Sequence, residues 1–240
     1  VRNVPKPVYD GDGRRQIRSF VRRQGRMSDA KWARYDELSR RYLIDFSPQP
    51  VEPTALFPAE RPVVLEIGFG MGHASIEIAC ANPDINYLGV EVHIPGVAAL
   101  MDRIEERGVD NIRIIQHDAV EVLRYMLPEA SLRGVHIFFP DPWPKKRHFK
   151  RRLIQKPFLE LLAPRIESGG YLYLATDWSD YAEWMLEHLE AFPGLENRYQ
   201  GYAEPQAWRP RTAFEQKGLD KNHPIRELYY IRPAAGTTGV

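Results

Sequence analysis

Five short apolar runs, each closing on or beside an acidic residue, limit most what this chain can fold into. They span residues 63–67, 86–90, 112–115, 134–139 and 171–176. The acids at their ends are Glu66, Glu91, Asp118, Asp141 and Asp177. Helical patterns lie between the runs, over 72–81, 95–107, 119–127, 156–167 and 179–191. The clearest is 95–107, where Val97, Leu100, Met101 and Ile104 fall at i, i+3, i+4 and i+7, with Pro95 in the first turn and Gly108 at the end. Further strands are expected near 197–203 and 226–232, antiparallel because no clear helix separates them. Such alternation predicts an open, mostly parallel sheet with helices on both faces. Sheets of this kind bind ligands beyond the carboxyl ends of their strands, where the strand order switches.

The chain has 240 residues, 43% hydrophobic and 27% charged, a globular composition that excludes a collagen-like or wholly disordered polymer. No apolar run approaches the roughly 20 residues needed to span a bilayer. Val1-Arg2-Asn3-Val4-Pro5 has no apolar signal-peptide core. The single cysteine, Cys80, is expected to be a packed thiol in a reducing, cytoplasmic setting. One Cys and seven scattered His show no ligand-spaced pair for zinc.

Charge is unevenly placed. The whole chain carries +1; residues 1–34 carry +7 and residues 145–152 carry +6, so the remaining 198 carry −12. Two basic blocks on an acidic body suggest a localised polyanion contact. The expected organisation is a basic, partly disordered N-terminal arm over 1–46, one α/β domain over 47–232 and a loose tail over 233–240. The arm holds a basic amphipathic stretch at 17–27 and a short helix at 29–41. Five prolines mark 47–62 as linker.

The run Glu66-Ile67-Gly68-Phe69-Gly70-Met71-Gly72 joins the first strand to the first following helix. Gly68 and Gly70 allow a tight turn and close approach of a ligand. The spacing is Gly-x-Gly-x-Gly, not the Gly-x-Gly-x-x-Gly of dinucleotide binders, which disfavours a dehydrogenase. A carboxylate before the glycines opposes a pyrophosphate and favours a cationic ligand such as S-adenosylmethionine. Glu91 is placed to accept from ribose hydroxyls and Asp118 to meet an adenine amino group. Each acid alone is also explained as a helix cap or first-turn residue.

The stretch from Phe139 to Arg152 is the most specific in the chain: Phe-Pro-Asp-Pro-Trp-Pro-Lys-Lys-Arg-His-Phe-Lys-Arg-Arg. Prolines on both sides stiffen the backbone around Asp141. Trp143 supplies a flat apolar face. The cations that follow, with Phe149 among them, can neutralise phosphates.

With these residues the sequence closely resembles the bacterial tRNA (guanine-N(7)-)-methyltransferase family over about residues 14–232. The carrying motifs are the 66–72 loop, Gly89-Val90-Glu91, His117-Asp118-Ala119, the 140–152 stretch, Thr176-Asp177-Trp178 and Thr212-Ala213-Phe214-Glu215. The resemblance implies a class I S-adenosylmethionine-dependent methyltransferase fold with a mostly parallel seven-stranded sheet. It implies that Glu66, Glu91, Asp118 and Asp141 contact S-adenosyl-L-methionine and that Asp141 is catalytic. Lys145, Asp177, Thr212, Ala213, Phe214 and Glu215 would contact the substrate guanosine. Arg147, His148, Phe149, Lys150, Arg151 and Arg152 would contact RNA. The implied target is a guanine at position 46, in the tRNA variable loop, and the expected state is a monomer. Thr212-x-x-Glu215 also fits a helix capping box.

Guanine N7 has an exposed lone pair and no proton to remove, so a general base is unnecessary. Asp141 would stabilise the cation formed on transfer, or accept from the guanine N1–H and N2–H edge. The competing classes are another class I methyltransferase, acting on a different RNA or a protein, and a non-catalytic RNA-binding module of the same fold.

Overall fold

The computed structural model describes residues 19–20, 27–210 and 224–234. Seven strands form one sheet in the order β3-β2-β1-β4-β5-β7-β6. They are β1 (Val63–Ile67), β2 (Asn86–Val90), β3 (Ile112–Ile115), β4 (Leu132–Phe138), β5 (Ile166–Thr176), β6 (Glu196–Asn197) and β7 (Arg226–Ile231). The first five pair in parallel, whereas β7 runs antiparallel to β5, and β6 antiparallel to β7. All five residues of β1 and of β2 are buried, as expected of central parallel strands covered on both faces.

The two-residue period of β1 divides the core. Val63, Leu65 and Ile67 face one cluster with α4 (Ala119–Tyr125), α5 (Lys156–Leu162) and α6 (Ser179–Glu190). Val64 faces the other with α1 (Asp29–Tyr42), α2 (His73–Ala81) and α3 (Ile94–Arg107). The chain leaves β1 toward β2 and β3 on one side, and β4 lies on the other. The carboxyl ends of β1 and β4 therefore flank the switch in strand order.

Several boundaries differ from expectation. The residues assigned by sequence to the end of the arm are packed into the body. Leu38 and Tyr42 of α1 are buried beside α3, and the Ile44 N–H donates to the Ile114 carbonyl at 2.7 Å. Within the proline-rich 47–62 segment, Phe57 enters the core, and Val51 N–H donates to the Met126 carbonyl at 2.8 Å. The helix expected over 156–167 stops at Leu162; a 3₁₀ turn at Ala163–Arg165 follows, and β5 starts at Ile166. Pro164 has no N–H to continue the helical ladder. The strand expected over 197–203 contracts to Glu196–Asn197 and an isolated bridge between Ala203 and Glu227. Cys80 is half-buried against the second cluster. Residues 1–18, most of the 17–27 stretch, and the end of the tail lie outside the described residues.

Glu66 is a consequence of the same alternation. It shares the face of Val64, not of Ile67, and is 3% exposed. Burial pushes its carboxyl up to about 7, with the Glu91 charge adding in the same direction. The protonated form is thus favoured in the folded state. Its contribution to stability is present below the ordinary glutamate value and is lost as pH rises through about 7. Glu66→Gln removes the ionisable proton at nearly constant shape. Denaturant unfolding of the variant should match the parent near pH 5 and show greater stability near pH 8; equal midpoints at both pH values would refute the buried-carboxyl account.

Candidate functional site

A cavity of about 530 Å³ opens at the switch point. Its floor and walls come from Ile67 at the end of β1 and Gly68 after it, Glu91 to His93 after β2, His117 to Ala119 after β3, and Ile137 to Pro144 around the end of β4. Gly68, Gly70 and Gly72 have φ of +77°, +58° and +72°, which side-chain-bearing residues rarely adopt. A Cβ at Gly68 or Gly70 would meet open space, while one at Gly72 would lie 2.7 Å from Leu100. Gly68 thus presents bare backbone to the cavity. Gly70 does not line it; its N–H donates to Glu91 Oε2 at 3.0 Å.

Glu91 is fixed by two further backbone donors. Its Oε1 accepts from the Val92 N–H at 2.6 Å and the His93 N–H at 2.9 Å. Three donors leave acceptor capacity on a carboxylate, and the group lines the cavity. Asp118 does two things at once: it caps α4, accepting from Val120 N–H at 3.0 Å, and it lines the cavity. The capping explanation is therefore correct for Asp118 without removing it from the site. Beside it, His117 stacks on Phe46 with ring centroids 3.7 Å apart and meets Glu121 at 2.5 Å.

Glu66 is buried on the face of Val64 and is not among the residues that line the cavity, although its carboxyl feels the charge of Glu91, which does line it.

Asp141 lines the cavity and is exposed. Phe139 and Trp143, two residues to either side, have φ of +50° and +45°. Those positions are strained for non-glycine residues and need support from outside the loop. Some of it is visible: Phe139 N–H donates to the Ala175 carbonyl at 2.8 Å, and Trp143 Nε1 donates to the Ser19 carbonyl at 2.9 Å. Arg151 lies 3.8 Å above the Trp143 ring and donates to the Phe20 carbonyl at 3.2 Å. Ser19 and Phe20 thereby form part of the cavity wall. Sequence reasoning placed them in the arm, with no local pattern to link them to a loop 124 residues away.

The basic run divides. Lys145, Lys146, Arg147 and Lys150 are exposed on or beside the 3₁₀ turn Lys146–Arg151. His148 is half-buried against Trp143 at 5.7 Å. Partial burial, then the cations around it, hold its imidazole below the ordinary value. Phe149 packs edge-on against Trp184 at 5.5 Å. Arg152 is 2% exposed and ion-paired with Asp180. The expectation that Arg152 contacts RNA is corrected: its guanidinium is enclosed by Phe149, Tyr181 and Trp184. Asp177 is half-buried just past β5 and Lys145 is exposed; neither lines the cavity. Thr212, Ala213, Phe214 and Glu215 lie outside the described residues.

Comparison with known proteins agrees with this arrangement. A family described as "Putative methyltransferase" matches residues 60–228. A tRNA (guanine-N(7)-)-methyltransferase of Dechloromonas aromatica is 51% identical over 95% of this chain and 94% of its own length. One from Thiobacillus denitrificans is 51% identical over 93% and 98%. Among solved structures, the 16S rRNA methyltransferase KamB superposes with a TM-score of 0.51 at 16% identity, covering 88% of this chain and 97% of KamB. That likeness concerns the fold, which is that of the class I methyltransferases. Gly68, Glu91, Asp118 and the proline-braced Asp141 meet around one cavity in a chain half identical to these relatives along nearly its whole length, and the chain belongs to the tRNA (guanine-N(7)-)-methyltransferase family.

Proposed function

We propose that this protein methylates N7 of a guanine in the variable loop of tRNA, using the switch-point cavity for S-adenosylmethionine and Asp141 as the carboxylate facing the reacting base. The carrying observation is that Asp141 stands both in the cavity lining and in the loop that leads directly into the exposed cations.

The cavity residues fit the methyl donor. Bare backbone at Gly68, a pre-oriented acceptor at Glu91 and a carboxylate at Asp118 line one space of about 530 Å³, with apolar walls from Ile67, Val90 and Ile137. When bound there, S-adenosylmethionine supplies an activated methyl group. The protein's own contribution is alignment and exclusion of water, which in favourable cases removes up to roughly 7–11 kcal/mol of barrier. No residue needs to take a proton from N7. Asp141 offsets the positive charge that grows on the purine, and Asp177 holds the nucleoside at the neighbouring strand end. Lys145, Lys146, Arg147 and Lys150 meet tRNA phosphates. The enzyme acts as a monomer in the cytoplasm.

Asp141→Ala should fold normally and bind the methyl donor, yet transfer methyl groups about 100-fold more slowly at saturating tRNA. Mass-spectrometric nucleoside analysis of treated tRNA gives the rate and the product; near-parental turnover would remove Asp141 from the chemistry.

Replacing Lys145, Lys146, Arg147 and Lys150 together by Ala should weaken tRNA binding. The slope of log affinity against log salt should become shallower, by about 0.7–0.9 for each phosphate no longer neutralised. Calorimetric affinity for the methyl donor should stay at the parental value. An unchanged salt slope would make these cations a solvated surface only.

A further inference from the structure

Arg152 joins the loop that carries Asp141 to the start of α6, the helix that follows Asp177. Its Nε donates to the Pro142 carbonyl at 3.0 Å, one residue after Asp141. Its Nη2 donates to Asp180, three residues after Asp177, in the first turn of α6. The guanidinium carbon lies 3.8 Å from the Phe149 ring centre, 4.9 Å from Trp184 and 5.1 Å from Tyr181. The hydroxyl of Tyr181 in turn accepts from the Leu153 N–H at 3.1 Å and the Ile154 N–H at 3.3 Å. The chain beyond the basic turn is thus tied to the start of α6 at three points.

Burying a guanidinium is a poor way to gain stability. Apolar residues of similar volume often serve as well or better, because the charge of Arg152 must be taken out of water while its partner Asp180 stays largely in it. What a guanidinium adds is geometry. It is planar and rigid, and it holds two acceptors at a set separation while stacking on a ring. The acceptors chosen here belong to the loop after β4 and to the first turn of α6, which follows the short β5–α6 loop that carries Asp177. The first of these also carries the strained Phe139 and Trp143, which need an external restraint.

We propose that Arg152 is a positioning residue that sets the separation of Asp141 and Asp177, through the Pro142 carbonyl on one side and Asp180 on the other. The proposal rests on the reading that both carboxylates face the guanosine. Arg152 touches neither tRNA nor the methyl donor.

The test uses the full-length protein with Arg152→Lys, Arg152→Met and Asp180→Asn, and with Asp141→Ala as a reference. Single-turnover rates are measured at saturating tRNA and S-adenosylmethionine, together with tRNA affinity across a salt series. Arg152→Lys retains charge but cannot reach both acceptors in the stacked plane. Its rate, and that of Asp180→Asn, should fall about 10–100-fold with tRNA affinity and salt slope unchanged. The double variant Arg152→Met with Asp180→Asn should be no slower than Arg152→Met alone, since the two residues act through one interaction. A role confined to stability lowers the reacting fraction and leaves the rate constant untouched, so it overturns the proposal. So does a rate deficit that vanishes at saturating tRNA with a shallower salt slope, which marks a phosphate-binding residue. If Arg152 variants do not fold, Asp180→Asn decides, because the Asp180 side chain is 59% exposed. A parental rate in Asp141→Ala would strike the reading of the site itself. A slow Asp141→Ala beside parental Asp180→Asn would strike only the brace.

Discussion

The Glu91 carboxylate is the group around which the cavity is arranged. It gathers N–H groups from Gly70, Val92 and His93, so the loop after β1 and the loop after β2 are tied to one rigid group. Charge-assisted bonds of this kind are stronger than neutral ones and are fixed in direction. The tie is reinforced where α3 begins: a Cβ on Gly96 would lie 2.0 Å from the Gly70 carbonyl, so the helix rests directly on the glycine loop. Phe69 fills the neighbouring space, with its ring 2.8 Å from where a Gly89 Cβ would sit. Side-chain-free positions at 89 and 96 therefore let Phe69 and the Gly70 carbonyl pack closely, and Gly68 keeps a bare backbone edge at the cavity.

On the other side of the switch point the problem is different. The loop after β4 must hold a carboxylate out at the cavity mouth, on backbone that is strained at Phe139 and Trp143. Prolines at 140, 142 and 144 reduce the conformations open to the unfolded loop and so lessen the entropy given up on ordering it. Inward-turned arginines complete the restraint: Arg151 over Trp143, Arg152 against Pro142 and Asp180. The run of six Lys and Arg residues is therefore divided. Four are exposed, and two are turned inward against the loop that carries Asp141.

The parallel sheet and the places of its strand-end acids were legible because both depend on local periodicity: buried strands are continuous apolar runs, and the residue after each run falls at one edge of the sheet. What was hidden depends on interactions distant in sequence. Local composition does not distinguish an arginine bonded to Asp180 from a cation facing solvent; Arg152 and Lys150 look alike in a basic run. The same holds for Ser19 and Phe20, whose carbonyls meet Trp143 and Arg151, and for Leu38 and Tyr42, whose burial depends on α3. Glu66 shows a subtler effect. Ile67 and Gly68 after it line the cavity, while strand alternation turns Glu66 itself to the face of Val64.

The distribution of perturbed groups bears on the chemistry. Burial raises Glu66 to about 7 and lowers His136 to about 3, yet neither lines the cavity. His136, buried on β4, is stacked against Trp208 at 4.8 Å and bonded to the Tyr171 hydroxyl at 2.9 Å. Enzymes that abstract protons usually place such tuned groups where the substrate is. Here they lie in the scaffold, while the mouth of the cavity holds an exposed carboxylate on a braced loop. That is the arrangement expected when the nucleophile already carries its lone pair and the protein has only to align it, offset the charge that develops, and hold that alignment against the pull of a large polyanion. Rigidity at Pro142 and Glu91, rather than acid–base tuning, is then what the fold has to provide.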